Sequence, residues 1–207
     1  GTWKDGNIIA GFCKWGAMRI QRFDSKRKMY ESRVSASLFA GQKWTHFALA
    51  SKQGKMTLFV NGIPASLAPE EICASGSPQH FLRIGALDKN TKSRFAGTLD
   101  ELKVFNKALT ADQVKLIMDT EPGRIDEKTP LIQCAFTGKI DCISSAGPVL
   151  ANAAYVVFRP AVIGKGASFL RHGYDRAGRL TISDVFGTNG NELSASFFFI
   201  PGTAPAT

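Results

Sequence analysis

Trp44-Thr-His-Phe-Ala-Leu-Ala-Ser51, then Lys52-Gln-Gly-Lys55, then Met56-Thr-Leu-Phe-Val-Asn61: two apolar runs frame a short polar loop that contains glycine. Such runs on either side of a glycine loop predict a β-hairpin. The second run ends at Asn61-Gly62, a dipeptide that favours tight turns because both residues tolerate positive φ. Working upstream, Met29 to Phe39 sets Tyr30, Val34, Ala36 and Leu38 on one face and Glu31, Arg33, Ser35 and Ser37 largely on the other. That is the alternation of a half-buried strand.

Downstream, further strands are predicted at Phe81 to Leu87, Gly97 to Phe105, Ala153 to Phe158, Ala167 to Leu170, Arg179 to Ile182 and Leu193 to Ile200. Many short strands separated by Gly, Pro and Asn argue for an all-β chain built as two packed antiparallel sheets. One helix is predicted. In Thr110-Ala-Asp-Gln113 the Thr hydroxyl can accept from a free backbone N–H while Gln113 reaches back, a capping box. Leu109, Val114 and Ile117 give the helix an apolar stripe, and it is expected to close one end of the sandwich. Asp119 to Pro130 is polar, carries two prolines and reads as a linker.

The 207 residues fit one domain of this kind, and a hydrophobic fraction of 44% with 15 Phe excludes wholesale disorder. The longest apolar runs, such as 194–200, fall far short of the roughly 20 residues that span a bilayer. No membrane span is expected. The net charge is +9, and residues 1–60 hold 11 basic side chains against only Asp5, Asp24 and Glu31. A local excess of that kind either steers an acidic partner or keeps a solvated face soluble. Cys13, Cys73, Cys134 and Cys142 lack the short paired spacings of zinc or redox motifs. Cys134 and Cys142 are near enough to bridge a small loop, as in exported proteins, provided their Cα atoms meet the geometry of a disulfide. No leader is visible at Gly1, so it has been removed or the chain begins inside a longer one.

Four segments taken together resemble one family. Trp44-Thr-His-Phe-Ala-Leu-Ala, Met56-Thr-Leu-Phe-Val-Asn-Gly, Phe81-Leu-Arg-Ile-Gly-Ala and Phe95-Ala-Gly-Thr-Leu-Asp-Glu-Leu-Lys-Val-Phe-Asn-Lys-Ala-Leu-Thr110 resemble the second half of a laminin-G-like domain of the concanavalin A-like lectin/glucanase superfamily. Phe136 to Ser145, Val162-Ile-Gly-Lys-Gly-Ala-Ser-Phe169, Leu180-Thr-Ile and Leu193-Ser-Ala-Ser-Phe-Phe-Phe-Ile-Pro201 resemble its first half. The halves stand in reversed order. The resemblance implies a jelly-roll sandwich, either as one circularly permuted domain or as the tail of one domain and the head of the next. Permutation is favoured physically, because each half alone would leave long unpaired edges while the ends of compact domains lie close together. The expected division is 1–118 as the family's C-terminal half, 119–131 as the linker and 132–207 as its N-terminal half.

The superfamily includes glucanases, so catalysis must be weighed. A glycosidase needs two carboxyl groups roughly 5–9.5 Å apart across a cleft. Asp100-Glu101 is the one adjacent acidic pair within a predicted strand, and neighbouring strand residues point to opposite faces, so no catalytic residue is expected. His46 reads as a structural strand residue, and no Ser-His-Asp or Cys-His set emerges. By resemblance a structural calcium ion is the candidate cofactor, with Asp100 and Asp141 as its named carboxylates and carbonyls and water completing the shell. Glycan binding would use loop aromatics and planar polar groups, for which Trp3, Trp15, Tyr174, Asp175, Arg176 and Asn189 are the candidates. Arg22, Lys26, Arg27 and Lys28 form a basic turn between strands, suited to an acidic polysaccharide. Nucleic acid is disfavoured, since only Phe23 and Tyr30 could stack beside that turn. The expected whole is a non-catalytic carbohydrate-binding, adhesive or spacer module of an exported, periplasmic or cell-surface protein.

Overall fold

The computed structural model describes residues 8–12, 18–23, 29–34, 43–52, 55–65, 81–84, 97–119, 132–136, 138–144, 147–148, 151–154, 156–161, 165–169, 171–172, 176–177, 179–183 and 192–201. In chain order the first elements are β1 (Ile8–Phe12), β2 (Met18–Phe23), β3 (Met29–Val34), β4 (Thr45–Lys52), β5 (Lys55–Val60), β6 (Ile63–Ala65), β7 (Phe81–Ile84) and β8 (Gly97–Phe105). The helix α1 (Ala111–Asp119) follows. Then come β9 (Ile132–Ala135), β10 (Asp141–Ser144), β11 (Gly147–Pro148), β12 (Ala151–Ala154), β13 (Val156–Pro160) and β14 (Lys165–Phe169). The last are β15 (Arg171–His172), β16 (Arg176–Ala177), β17 (Arg179–Ser183) and β18 (Glu192–Pro201).

The opening hairpin forms as its residues dictate. β4 and β5 pair from Phe47 opposite Val60 to Lys52 opposite Lys55. Asn61 and Gly62 both adopt positive φ, 50° and 75°, and join β5 to β6 in a two-residue turn of the kind whose twist suits a hairpin. Their alternation sorts β4 cleanly: Phe47 faces one way with Leu58, Val60 and Phe199, while Ala48 and Ala50 face the other with Phe59 and Phe105.

The main sheet has the path β11-β10-β9-β8-β18-β4-β5-β6, with β14 also pairing to β8 and β13 to β14. Its decisive feature is β18. The last strand lies antiparallel between β8 and β4, so residues near the end of the chain are hydrogen-bonded on both sides to strands from its first half. Ser194 adds side-chain links, its Oγ donating to the Lys107 carbonyl at 2.8 Å and accepting the Leu109 N–H at 2.9 Å. The cores are shared as well. Leu99, Leu102 and Val104 are buried together with Ile132, Cys134, Phe136, Ala167, Phe169 and Leu180. Leu180 belongs to β17, which with β12 and β7 forms a three-stranded sheet against that side, giving the two-layered all-β architecture the alternation predicts. Two smaller sheets, β1-β2-β3 and β15-β16, complete the described strands.

Gly166 lies at a close approach within the main sheet. A Cβ there would lie 2.8 Å from the Leu99 carbonyl oxygen and 2.8 Å from the Ala161 Cβ, so β14 can reach β8 at this point only without a side chain.

The helix is capped as expected: Thr110 N–H donates to Gln113 Oε1 at 2.9 Å, and Gln113 N–H donates to Thr110 Oγ1 at 3.3 Å. Its position differs from the expected one. Val114 is buried with Ala48, Ala50, Phe59, Phe105 and Leu109, so α1 covers the second face of the main sheet instead of closing an end. The strand predicted over Ala153 to Phe158 is also two strands, β12 and β13, which belong to different sheets. Apolar residues run through the junction, so nothing local marks the switch of partner. The linker predicted over 119–131 lies, apart from Asp119, outside the described residues.

Candidate functional site

Chemistry gathers where β8 breaks its own regularity. One edge of β8 pairs with β14 over Gly97 to Leu99 and then with β9 over Leu102 to Val104. Between these two partners, the register against β18 slips, because Asp100 faces Phe198 while Lys103 faces Ser196. The extra residue makes a β-bulge, and Glu101 takes φ of 51°, a left-handed conformation that costs energy for any side chain. Asp100 Oδ1 accepts the Glu101 N–H at 2.9 Å and steadies the turn. The simple alternation that separates Asp100 from Glu101 in the sequence therefore does not hold here.

Both carboxylates are buried, Asp100 at 1% exposure and Glu101 at 7%. Burial pushes the Glu101 carboxyl above its ordinary value; Lys103 opposes the shift and Asp100 adds to it. Lys103 Nζ stands 3.7 Å from Glu101 Oε2, an ion pair beyond hydrogen-bond length, and that oxygen accepts no hydrogen bond. Across the ladder, Gln133 lies opposite Lys103 and its buried Oε1 also lacks a hydrogen-bond partner.

On the other flank, Ser196 faces Lys103, and its Oγ lies 2.9 Å from His46 Nε2. The His46 ring packs on Phe198 with centroids 4.8 Å apart, and its backbone N–H donates to Asn61 Oδ1. The imidazole is buried and its pKa is lowered to about 4, first by desolvation and then by the Lys103 charge. Ser196 and His46 form a hydroxyl–imidazole pair of the sort that can make a nucleophile and base. Here both are 1% exposed and His46 Nδ1 has no hydrogen-bond partner to orient the ring, so the pair ties strands together.

Of the candidate ligand residues, Trp3, Trp15, Lys26, Arg27, Lys28, Tyr174, Asp175 and Asn189 lie outside the described residues. Arg22 stands on β2 opposite Tyr30 and Ile8, and residues 24–28 connect the paired ends Phe23 and Met29 of β2 and β3. Arg176 stands on β16 opposite His172. Asp141 faces Ala135 on β9, so one strand separates the β10 backbone from β8, which carries Asp100. Two ladder steps set these backbones about 10 Å apart. Among the described residues no group of three or more His, Cys, Asp or Glu side chains is placed to hold a metal ion. Cys134 and Cys142 lie directly opposite on β9 and β10 and are joined by a disulfide, with Cα atoms 4.1 Å apart.

A family model described as the concanavalin A-like lectin/glucanases superfamily, of laminin G type, matches residues 4–115. The chain belongs to this family. The match spans a little over half of the sequence, from ahead of β1 into α1, and includes the β8 bulge. No curated protein and no solved structure matches this laminin-G-like chain.

His46 was legible as a strand residue and Asp100-Glu101 as an acidic pair, but Ser196, Lys103 and Gln133 were not singled out by any sequence signal. They meet only through the β9-β8-β18-β4 order, across separations of up to 150 residues.

Proposed function

We propose that this laminin-G-like chain is a non-catalytic carbohydrate-binding or adhesion module of an exported or cell-surface protein, a single permuted domain whose ligand is an acidic polysaccharide. Membership of a lectin/glucanase superfamily is the observation that carries the reading. Further support comes from the disulfide, since such bonds persist in oxidising compartments, and from burial of Asp100 and Glu101, because a glycosidase's carboxylates must face a cleft. The seating of β18 between β8 and β4 supports the permuted division into 1–118, the linker 119–131 and 132–207. Among the described residues no helix is long and apolar enough to cross a membrane.

In this reading Arg22, Lys26, Arg27 and Lys28 receive sulfate or carboxylate groups at one end of the β2–β3 pair, and Trp3, Trp15, Tyr174, Asp175, Arg176 and Asn189 supply stacking and hydroxyl contacts. A glycan array at low and moderate salt is the test. Sulfated or carboxylated chains are expected to bind, with affinity falling steeply as salt rises, because exposed charges are screened within about 10 Å at 0.1 M. Reversing Lys26, Arg27 and Lys28 to Glu is expected to weaken binding about tenfold or more, since three exposed pairs at roughly 0.5 kcal/mol each are lost. Salt-resistant binding abolished by Tyr174→Ala would place recognition on the aromatic loop instead. Absence of binding to any glycan would leave a structural spacer.

Calcium is the proposed cofactor, with Asp100 and Asp141 contributing carboxylates and most of the shell coming from carbonyls and water. A chelator is expected to lower the melting temperature, and added calcium to restore it. An unchanged melting curve would remove the ion from the proposal.

A further inference from the structure

We propose that His46 is an acid-released latch on the β4–β18 seam, the line along which the last strand of the chain is held to its first half. The geometry is specific. The ring is fixed to β18 twice, through Nε2 to Ser196 Oγ at 2.9 Å and through its packing on Phe198, while its backbone is held to the β5–β6 turn by Asn61. Asn61 N–H in turn donates to the His46 carbonyl at 2.8 Å. The imidazole therefore cannot rotate out to water unless β4 and β18 part.

The neutral ring fits this pocket and the cation does not. His46 Nδ1 is buried with no hydrogen-bond partner, so the protonated ring, which carries hydrogen on both nitrogens, is a buried charge whose Nδ1–H has no acceptor. The groups around it do little to help. From β8, Lys103 repels an imidazolium; Glu101 is engaged with Lys103, and Asp100 Oδ1 with the Glu101 N–H. From β18 come Ser196 and Phe198, and from the turn Asn61, whose Oδ1 already accepts the His46 N–H. None of the last three carries a negative charge.

The sign follows from linkage. In the closed seam the ring takes a proton only near pH 4, whereas in an opened seam it would titrate near its ordinary 6.5. The latch is thus fully set above pH 6.5 and is lost as pH falls toward 4. At pH 5 the open form is expected to be favoured about twentyfold more than at pH 7, and close to thirtyfold more than at pH 7.5, from the separation of those two values.

Hydrogen exchange of the β4 and β18 amides, corrected for the intrinsic pH dependence of exchange, tests this in the unaltered protein and in His46→Gln. The glutamine amide can still bond Ser196 but takes no proton in this range. Opening of β18 that rises about thirtyfold between pH 7.5 and pH 5 in the native protein, and stays flat in His46→Gln, supports the latch. Equal pH dependence in both proteins overturns it. Should His46→Gln fail to fold, NMR titration of the native ring decides: a midpoint near 4 that tracks β18 exchange supports the latch, and a midpoint near 6.5 with β18 protection unchanged refutes it.

Discussion

Phe199→Ala is expected to lower the free energy of unfolding by about 3–5 kcal/mol, the cost of deleting a fully buried aromatic side chain together with the cavity it leaves. Phe199 has no exposure, and its neighbours are Phe47, Leu58 and Val60, all from the first third of the chain. Ring centroids lie 6.4 Å from Phe47 and 6.0 Å from Phe197, in edge-to-face arrangements that aromatic quadrupoles favour. Urea unfolding measures the loss. Phe197, only partly buried two residues earlier, serves as the comparison and is expected to cost distinctly less on truncation. A penalty for Phe199→Ala below about 1 kcal/mol would mean that β18 is not seated in this core, since such small values belong to surface positions.

The Cys134–Cys142 bridge is the second large term. It joins opposed residues of β9 and β10, a loop short enough that the chain-entropy model assigns it about 2.5 kcal/mol. Cys134 is also fully buried beside Leu102, its ladder partner on β8. The double variant Cys134→Ala/Cys142→Ala is therefore expected to melt about 5–10 °C below the native protein, at roughly 2–4 °C per kcal/mol for a chain of this size. Reductant should lower the native melting temperature by a similar amount and leave the double variant unmoved. A native protein indifferent to reductant would contradict a structural bridge at this position.

How much was readable in advance can be judged strand by strand. β8 was predicted with its observed bounds, because Gly97 opens a run in which Leu99, Leu102, Val104 and Phe105 all demand burial. β18 and the β4–β5 hairpin were equally plain. The α1 cap was legible too, since a capping box is a local device whose partners lie three residues apart. What failed was non-local. Nothing in Asp100-Glu101 announces a bulge; it arises because β8 changes partner from β14 to β9, and both partners lie far along the chain. The same holds for the break between β12 and β13, where an unbroken apolar run conceals a move from one sheet to another. β9 and β10 are four residues each, too short for alternation to stand out. For the polar cluster, His46 and the pair Asp100-Glu101 carried a signal, and the meaning of His46 changes once Ser196 is found beside it. The proposed glycan residues were read from composition and local charge, and apart from the backbones of Arg22 and Arg176 they lie outside the described residues.

The first and last parts of one chain complete a single sheet along β4 and β18. Leu49 and Ala195 lie directly opposite in that ladder, so cysteines placed at both positions test it. Directly opposed residues in an antiparallel pair have Cα atoms about 4.5–5.5 Å apart, within the range a disulfide accepts. Mild oxidation of Leu49→Cys/Ala195→Cys, followed by peptide mapping and sizing, should yield a bond within one chain in a monomer. A bond found only between two chains, or no bond at all in a folded protein, would contradict the shared sheet.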